Sequence, residues 1–131
     1  MDALPFLVAE FPIPPLQLSQ NGRFHWVLKA KATKAYRTAS KVIFRGARVK
    51  SKIATRETAS IVATFYWPDR RRRDRMNAME RLKPIWDGMQ DALIVMDDSG
   101  LTFQPVQFKL DKKNPRVVVE VFDTQPTEAR Q

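Results

Sequence analysis

The segment from Trp67 to Asp74 reads Trp-Pro-Asp-Arg-Arg-Arg-Arg-Asp, with four consecutive arginines between two aspartates. Adjacent guanidinium groups repel one another unless an anion lies among them, and a guanidinium binds phosphate oxygens through paired hydrogen bonds. The segment therefore predicts phosphate binding; the alternative is a solvated loop whose charges pair with carboxylates of the protein. The candidate phosphate-binding residues are Arg70, Arg71, Arg72 and Arg73.

A second polar cluster, Asp97-Asp98-Ser99-Gly100, follows later in the chain. Adjacent carboxylates raise each other's proton affinity unless a cation relieves the repulsion. Mg²⁺ suits that role, because it prefers hard oxygen ligands and is commonly held by one or two carboxylates. An ordinary acidic turn is the alternative interpretation.

The stretch between the two clusters must position them. Apolar residues recur at helical spacing from Met79 to Leu93, which predicts an amphipathic helix. Pro84 is expected either to begin its regular part or to kink it. If the helix is straight and continuous, Asp74 and Asp98 lie about 20 Å or more apart in one subunit. They can converge if regular helix begins only near Pro84, or if a second subunit supplies one cluster.

The remaining pattern predicts a single α+β domain over residues 1–123, with a disordered tail over residues 124–131. The element order is strand, helix, strand, helix, strand, strand, and the mixed sheet is packed by two helices. The first helix is expected to fray near Gly46. The other predicted elements are a strand at Phe6–Phe11, a helix at Thr33–Lys50, a strand at Glu57–Trp67, and a hairpin of Leu101–Leu110 with Arg116–Phe122.

Composition narrows the class of partner. The 131 residues contain 23 Lys and Arg against 14 Asp and Glu, a formal charge of +9, which favours a polyanion such as nucleic acid. A basic surface without such a partner is the alternative. The absence of cysteine excludes disulfides and thiolate metal sites. No apolar run approaches a membrane span, and acids occur at Asp2 and Glu10, so we expect a cytoplasmic protein with no membrane partner.

Taken together, the motifs resemble the RusA family of Holliday junction resolvases. In that family an arginine-rich loop leads through an Asp-x-Asp-Asn element to a lysine and an aspartate on a helix, and then to an Asp-Asp pair. The early Pro-Pro segment with a downstream Asn and Arg is also similar. The matching positions here are residues 67–74, Asn77, Lys83, Asp87, Asp97, Asp98, Pro14, Pro15, Asn21 and Arg23.

The resemblance implies an α+β homodimer that uses Mg²⁺, with Mn²⁺ as a substitute, to nick two strands of a four-way DNA junction symmetrically. It implies no small-molecule cofactor. Asp74 and Asp98 would bind the metal with help from Asp87 or Asp97, and Lys83 would steady the phosphate or the transition state. The implied catalytic residues are Asp74, Asp98, Lys83 and Asp87, and the implied DNA-binding residues are Arg70, Arg71, Arg72, Arg73, Asn77 and Arg23.

One position departs from the family pattern. Met76 replaces the second acid of the Asp-x-Asp-Asn element, and a thioether does not bind hard Mg²⁺. The segment from Asn77 to Lys83 is also about one helical turn longer than in the best-known member. Either Asp87 and Asp97 supply the missing charge, or the protein binds junctions and cuts them slowly or not at all. A basic interaction protein with an acidic partner is a third alternative.

Overall fold

A mixed β-sheet forms the centre of the computed structural model, which describes residues 4–18 and 25–124. Its strands are β1 (Leu7–Phe11), β2 (Ala59–Trp67), β3 (Leu101–Phe103), β4 (Gln107–Leu110) and β5 (Arg116–Phe122). β2 pairs antiparallel with β5 on one side and parallel with β3 and then β4 on the other. β1 pairs antiparallel with the free edge of β5. The predicted α+β class with a mixed sheet is confirmed.

Burial alternates along the strands, because successive side chains point to opposite faces of a sheet. In β5, Val117, Val119 and Val121 are fully buried while the residues between them are partly exposed. Their β-branched side chains pack well on a pleated surface. One face of the sheet thus builds the hydrophobic core, against which the helices pack.

The long helix α1 (Trp26–Ser51) lies against this core through Tyr36, Ser40 and Phe44. It begins seven residues before the predicted start at Thr33, because the first turns are largely exposed and lack an apolar stripe that a sequence pattern could reveal. His25 caps the start by accepting a hydrogen bond from the Val27 amide. The helix also runs without a break through Gly46, so the expected fraying there is wrong.

The predicted helix from Met79 to Leu93 is two helices, α2 (Arg75–Glu80) and α3 (Lys83–Asp91). Pro84 lies in the first turn of α3. Of the two expected placements, it therefore begins a helix and does not kink one. A proline ring clashes with the carbonyl four residues earlier, which here belongs to Glu80, the last residue of α2. The helix is therefore interrupted between Glu80 and Lys83 rather than straight and continuous from Met79 to Leu93.

The predicted hairpin between Leu101–Leu110 and β5 is wrong. The first of these segments forms β3 and β4, both of which run parallel to β2, and β2 lies between them and β5. The connection after β4 passes over the end of β2, where the Asp111 amide donates to the Trp67 carbonyl. β2 is the central strand: both of its edges are paired, and most of its side chains are buried.

Helices α1 and α3 approach closely at Gly88. A Cβ atom there would lie 2.8 Å from Ser40 Cβ and 2.9 Å from the Lys41 amide nitrogen, so only glycine fits without a shift. Within the described residues, no helix is both long enough and apolar enough to cross a membrane. Residues 125–131 of the predicted tail lie outside the described residues.

Candidate functional site

Asp69 organises the arginine-rich loop from its own side chain. Its Oδ1 atom accepts hydrogen bonds from the Arg71 amide at 3.0 Å and from Arg73 Nη2 at 2.8 Å. These contacts hold the pKa of Asp69 below its usual range. The Arg73 guanidinium lies 4.1 Å from the centre of the Trp67 ring and also donates to backbone carbonyls of the loop. Arg73 therefore stabilises the loop, whatever else it binds.

A cleft of about 310 Å³ lies between this loop and α2. We call it the arginine cleft; four arginines line it against one carboxylate, that of Asp74. Three of the four predicted phosphate-binding arginines belong to its lining, whereas Arg70 is exposed and does not. The residues that define the cleft are Leu16, Trp67, Arg71, Arg72, Arg73, Asp74, Asn77, Ala78 and Arg81.

Arg81 is the arginine of this cleft that sequence reasoning missed. Only 7% of it is exposed, its Nη2 atom donates to the Pro14 carbonyl, and its buried Nε atom has no hydrogen-bond partner. Burial lowers the pKa of Arg81 below its usual range, because desolvation disfavours the charged form. The sequence did contain a signal for this residue. Arg81 falls at helical spacing with the apolar Ala78, Leu82 and Ile85, all of them buried, and a charged residue on such an apolar face is unusual.

Asp74 begins α2 as its N-cap. Its Oδ1 atom accepts from the Met76 amide at 2.8 Å and from the Asn77 amide at 3.3 Å, satisfying two donors that a helix start otherwise leaves free. Asn77 lines the arginine cleft, while the Met76 side chain is 77% exposed. The predicted metal ligand Asp74 thus has a structural role in placing α2 beside the cleft.

Lys83 brings two predicted site residues together at the start of α3. Its Nζ atom lies 2.6 Å from Asp98 Oδ2 and 2.9 Å from Asp87 Oδ1. The hydrogen bond to Asp98 is the larger cause, and that to Asp87 the next, of a pKa for Lys83 above its usual range. The same ammonium lowers the pKa of Asp98. We call Lys83, Asp87 and Asp98 the lysine–aspartate cluster.

The turn that carries Asp98 is fixed by several contacts. Asp97 accepts a hydrogen bond from the Ser99 amide at 3.2 Å, and Gln90 Oε1 accepts from the Asp98 amide at 3.3 Å. A Cβ atom at Gly100 would lie only 2.0 Å from the Glu57 carbonyl oxygen. Glycine is therefore required at position 100 for this close approach to a neighbouring backbone, a reason beyond the turn that the sequence suggested.

Arg37 of α1 extends the cluster along α3. Its guanidinium binds both Asp91 oxygens, at 2.7 and 2.9 Å, and its Nη1 atom lies 4.0 Å from Asp87 Oδ2. The contact lowers the pKa of Asp91 and raises that of Arg37. Neither residue was singled out from the sequence, because an ion pair between two helices depends on how they pack.

The predicted metal ligands are only partly brought together. Among the described residues, no three Asp, Glu, His or Cys side chains form a group suited to a metal ion. Asp87 and Asp98 nevertheless direct one oxygen each at the same positive centre, the Lys83 ammonium. A pair of converging carboxylates fits Mg²⁺, which commonly takes one or two such ligands and completes its shell with water and phosphate. Asn21 and Arg23 lie outside the described residues.

The arginine cleft and the lysine–aspartate cluster are adjacent along the chain. Arg81 lines the cleft and Lys83 belongs to the cluster. Two residues of chain span at most about 7 Å. The two regions are therefore neighbours at the level of the backbone, while the Arg81 side chain is buried and the Lys83 side chain is exposed.

Comparison with known proteins adds one relative. This chain is 34% identical over 96 residues to a protein of Xylella fastidiosa strain Temecula1 that bears the name "Uncharacterized protein". The matched region is 72% of this chain and 62% of the relative, so the chain spans less than two thirds of that protein. No family model matches the chain.

Proposed function

We propose that this protein binds four-way DNA junctions and hydrolyses phosphodiester bonds in them with Mg²⁺, as the RusA-type resolvases that its motifs resemble do. The observation that carries the proposal is that two regions of opposite chemistry begin two residues apart in the chain, at Arg81 and Lys83. One region is a cleft lined by four arginines, and the other is a pair of carboxylates that converge on one cation. Metal-dependent phosphodiester hydrolysis uses both cationic groups that stabilise the phosphate and carboxylates that hold the metal ion.

The chain's own residues would divide the work as follows. Arg71 and Arg72, both exposed at the cleft, neutralise backbone phosphates and draw the strand toward α3. The Lys83 ammonium is held by both carboxylates of the cluster, and once a cation binds there in its place it would be free to stabilise the negative charge on the phosphate. Asp87 and Asp98 would hold Mg²⁺, which supplies polarisation of the phosphate and activation of a water when bound.

Asp74 belongs to the arginine cleft and not to the lysine–aspartate cluster. Its carboxylate lines the arginine cleft while it caps α2, so it lies where a bound strand would pass. A four-way junction has two-fold symmetry, and a symmetric dimer presents two equivalent sites to opposed strands. The proposal therefore includes a homodimer.

A second candidate function is junction binding without cleavage. The observation that favours it is Met76, whose exposed thioether stands where the resembling family has an acid. The cleft needs no carboxylate from that position to bind phosphates. Under this candidate the protein keeps its affinity for branched DNA but leaves the strands intact.

The test is incubation with a synthetic four-way junction and a matched linear duplex, with Mg²⁺, Mn²⁺ or EDTA, read on denaturing and native gels. The proposal predicts paired nicks on opposed strands of the junction alone, and only with a divalent metal. Tight junction binding without nicks would establish the second candidate. Salt-sensitive affinity for DNA would tell against a basic protein with an acidic protein partner, because phosphate contacts release counterions and weaken as salt rises.

The matched variants are Asp98→Asn and Asp111→Asn. Asp98→Asn removes a carboxylate of the cluster, and we expect it to abolish cleavage while junction affinity stays within about threefold. Asp111 is also ion-paired, with Arg116 at 2.9 Å, but it belongs to neither the cleft nor the cluster, so Asp111→Asn is expected to cleave normally. Unchanged cleavage by Asp98→Asn would remove that residue from the mechanism.

A further inference from the structure

Two buried nitrogen atoms of the arginine cleft have no hydrogen-bond acceptor. They are Arg81 Nε and Trp67 Nε1, and both residues line the same cleft. Buried donors in folded proteins are nearly always paired, so an unpaired donor requires an explanation such as an unoccupied ligand position. Both belong to residues that line one cleft, where a ligand with several acceptor atoms would supply the missing partners.

The charges of the cleft indicate that this ligand is an anion. Among the described residues, Arg81 has no carboxylate within 4.0 Å, and neither does the exposed Arg72. Arg73 is paired with Asp69, and Asp74 directs Oδ1 at the start of α2. A buried cation without a counter-ion is unfavourable, and an anion in the cleft would supply the missing charge.

The shape of the cleft narrows the class of anion. Its volume of about 310 Å³ exceeds what a single carboxylate or halide needs. Leu16, Ala78 and the Trp67 ring give it an apolar wall beside the guanidinium groups. A phosphate linked to a sugar matches both features, since the phosphate oxygens accept hydrogen bonds and the sugar packs on the apolar wall.

We infer that the arginine cleft is a dedicated site for one phosphate group, with Arg81 as its buried anchor, and that the group is a backbone phosphate of DNA. The choice of DNA rests on the proposed function; the phosphate site itself rests on the unpaired donors and the missing counter-ion. Arg81 is a buried binding residue, whereas Arg71 and Arg72 would contact phosphates from exposed positions at the same cleft. Because it precedes Lys83 by two residues, its phosphate would fix the register of the strand against the lysine–aspartate cluster.

The first test uses the unmodified protein. In ¹⁵N-labelled protein, the Trp67 indole signal is assigned with Trp67→Phe and followed while inorganic phosphate is added, then in a separate titration with the four-way junction. We expect a saturable shift of the Trp67 indole signal in both titrations. Trp86 packs against Phe103 away from the cleft and is the internal control, expected to stay in place with phosphate.

The second test uses variants of Arg81 and a matched control. Arg81→Lys keeps the charge but loses the planar fork, and we expect junction affinity to fall about tenfold. Arg81→Met removes one phosphate contact, so the slope of log affinity against log salt should become shallower by about 0.9. Arg45 is an exposed arginine of α1 outside the cleft, and Arg45→Gln is expected to change junction affinity less than twofold.

The outcomes separate this inference from the proposed function. Junction binding with no movement of the Trp67 signal, and with Arg81→Lys equal to the unmodified protein, would overturn the inference and leave the proposed function standing. A phosphate-dependent Trp67 shift without DNA binding would keep the phosphate site and remove DNA as its source. Failure of Arg81→Met to fold does not decide the matter, because the titrations of the unmodified protein and Arg81→Lys give the answer independently.

Discussion

The arginine cleft and the lysine–aspartate cluster begin two residues apart in the chain, at Arg81 and Lys83, yet their charges are compensated in opposite ways. In the cluster, Lys83 binds two carboxylates and the adjoining Arg37 binds another. In the cleft, Arg81 is buried with a backbone carbonyl as its hydrogen-bond acceptor and no carboxylate beside it within the described parts of the chain. In the cluster each cation has a carboxylate partner, whereas Arg81 in the cleft has none among the described residues.

This difference indicates how a bound ion would change the charge of each region. The cluster already holds the Lys83 ammonium between its carboxylates, so a Mg²⁺ ion there would displace that ammonium and bring two positive charges in place of one. The cleft gains its counter-ion only from outside the described residues. A phosphodiester strand laid across both would compensate the cleft first, because buried unpaired charge is the more costly of the two states.

Gly100→Ala should break the cluster while leaving the cleft intact. The new Cβ would lie 2.0 Å from the Glu57 carbonyl oxygen, which belongs to backbone and cannot move aside cheaply. We expect the turn carrying Asp98 to shift and the free energy of unfolding to fall by about 2 to 3 kcal/mol. Urea denaturation measures the loss, and the phosphate-dependent Trp67 signal should persist in the folded fraction.

Gly46→Ala is the matched control for that change. A Cβ atom at Gly46 meets nothing within 4 Å in the exposed middle of α1. Alanine favours helix over glycine by about 1 kcal/mol, so this variant should be more stable than the unmodified protein. Equal effects of the two substitutions would show that the turn at Gly100 tolerates a side chain and that the cluster does not depend on it.

Much of the fold was predictable because strands and the helix break depend on local signals. The positions of β1, β2 and β5 follow from β-branched and aromatic runs, and the break before α3 follows from Pro84. The pairing of β4 was not predictable, since alternation locates a strand without naming its neighbour. The start of α1 was also hidden, because exposed polar turns carry no periodic signal.

The candidate site was also predictable only in part: the sequence indicated its residue types but not their contacts. The residue types of Lys83, Asp87 and Asp98 were evident, but their contact requires the chain to return along the whole length of α3. The connection after α3 makes that return where Val95 bridges to Arg56. The burial of Arg81 could not be foreseen either, since it results from the packing of α2 under the Pro14 carbonyl. Tertiary contacts of this kind leave no mark on local spacing.

Met76→Asp should sharpen the comparison by supplying the acid that the resembling family has at this position. Met76 is exposed in the first turn of α2, where an acid also complements the helix dipole, so the change should not harm folding. If the protein is a metal-dependent nuclease, we expect nicking to rise at least tenfold, about 1.4 kcal/mol of transition-state stabilisation. The rate of junction nicking under single-turnover conditions is the measurement.

Met76→Asn is the control for size and polarity without charge, and it should nick at the rate of the unmodified protein. Equal gains from both variants would attribute the effect to loss of an exposed apolar side chain. No gain from Met76→Asp, with junction binding unchanged, would favour the non-cleaving candidate and would separate the cleft from any metal chemistry.

Arg37 and Asp91 give the smallest expected effect, because both lie near the surface. A double-mutant cycle with Arg37→Met and Asp91→Asn should return a coupling of about 0.5 to 1 kcal/mol, the upper end for exposed pairs, since the contact is bidentate. The folded-state pKa of Asp91 lies below its usual range, so the coupling should be fully present above about pH 4 and fall as pH drops through that lowered pKa. Urea denaturation of the four proteins across this range measures it.

The pair Arg56 and Asp123 is the matched control for this cycle. Its second contact is 3.5 Å long and Asp123 is mostly exposed, so its coupling should be smaller than that of Arg37 and Asp91. A coupling at Arg37 that persists unchanged well below pH 4 would mean that the ion pair is not its source. The ion pairs that matter for stability would then be those of Lys83. Arg37 would stabilise the protein only through packing of α1 against α3.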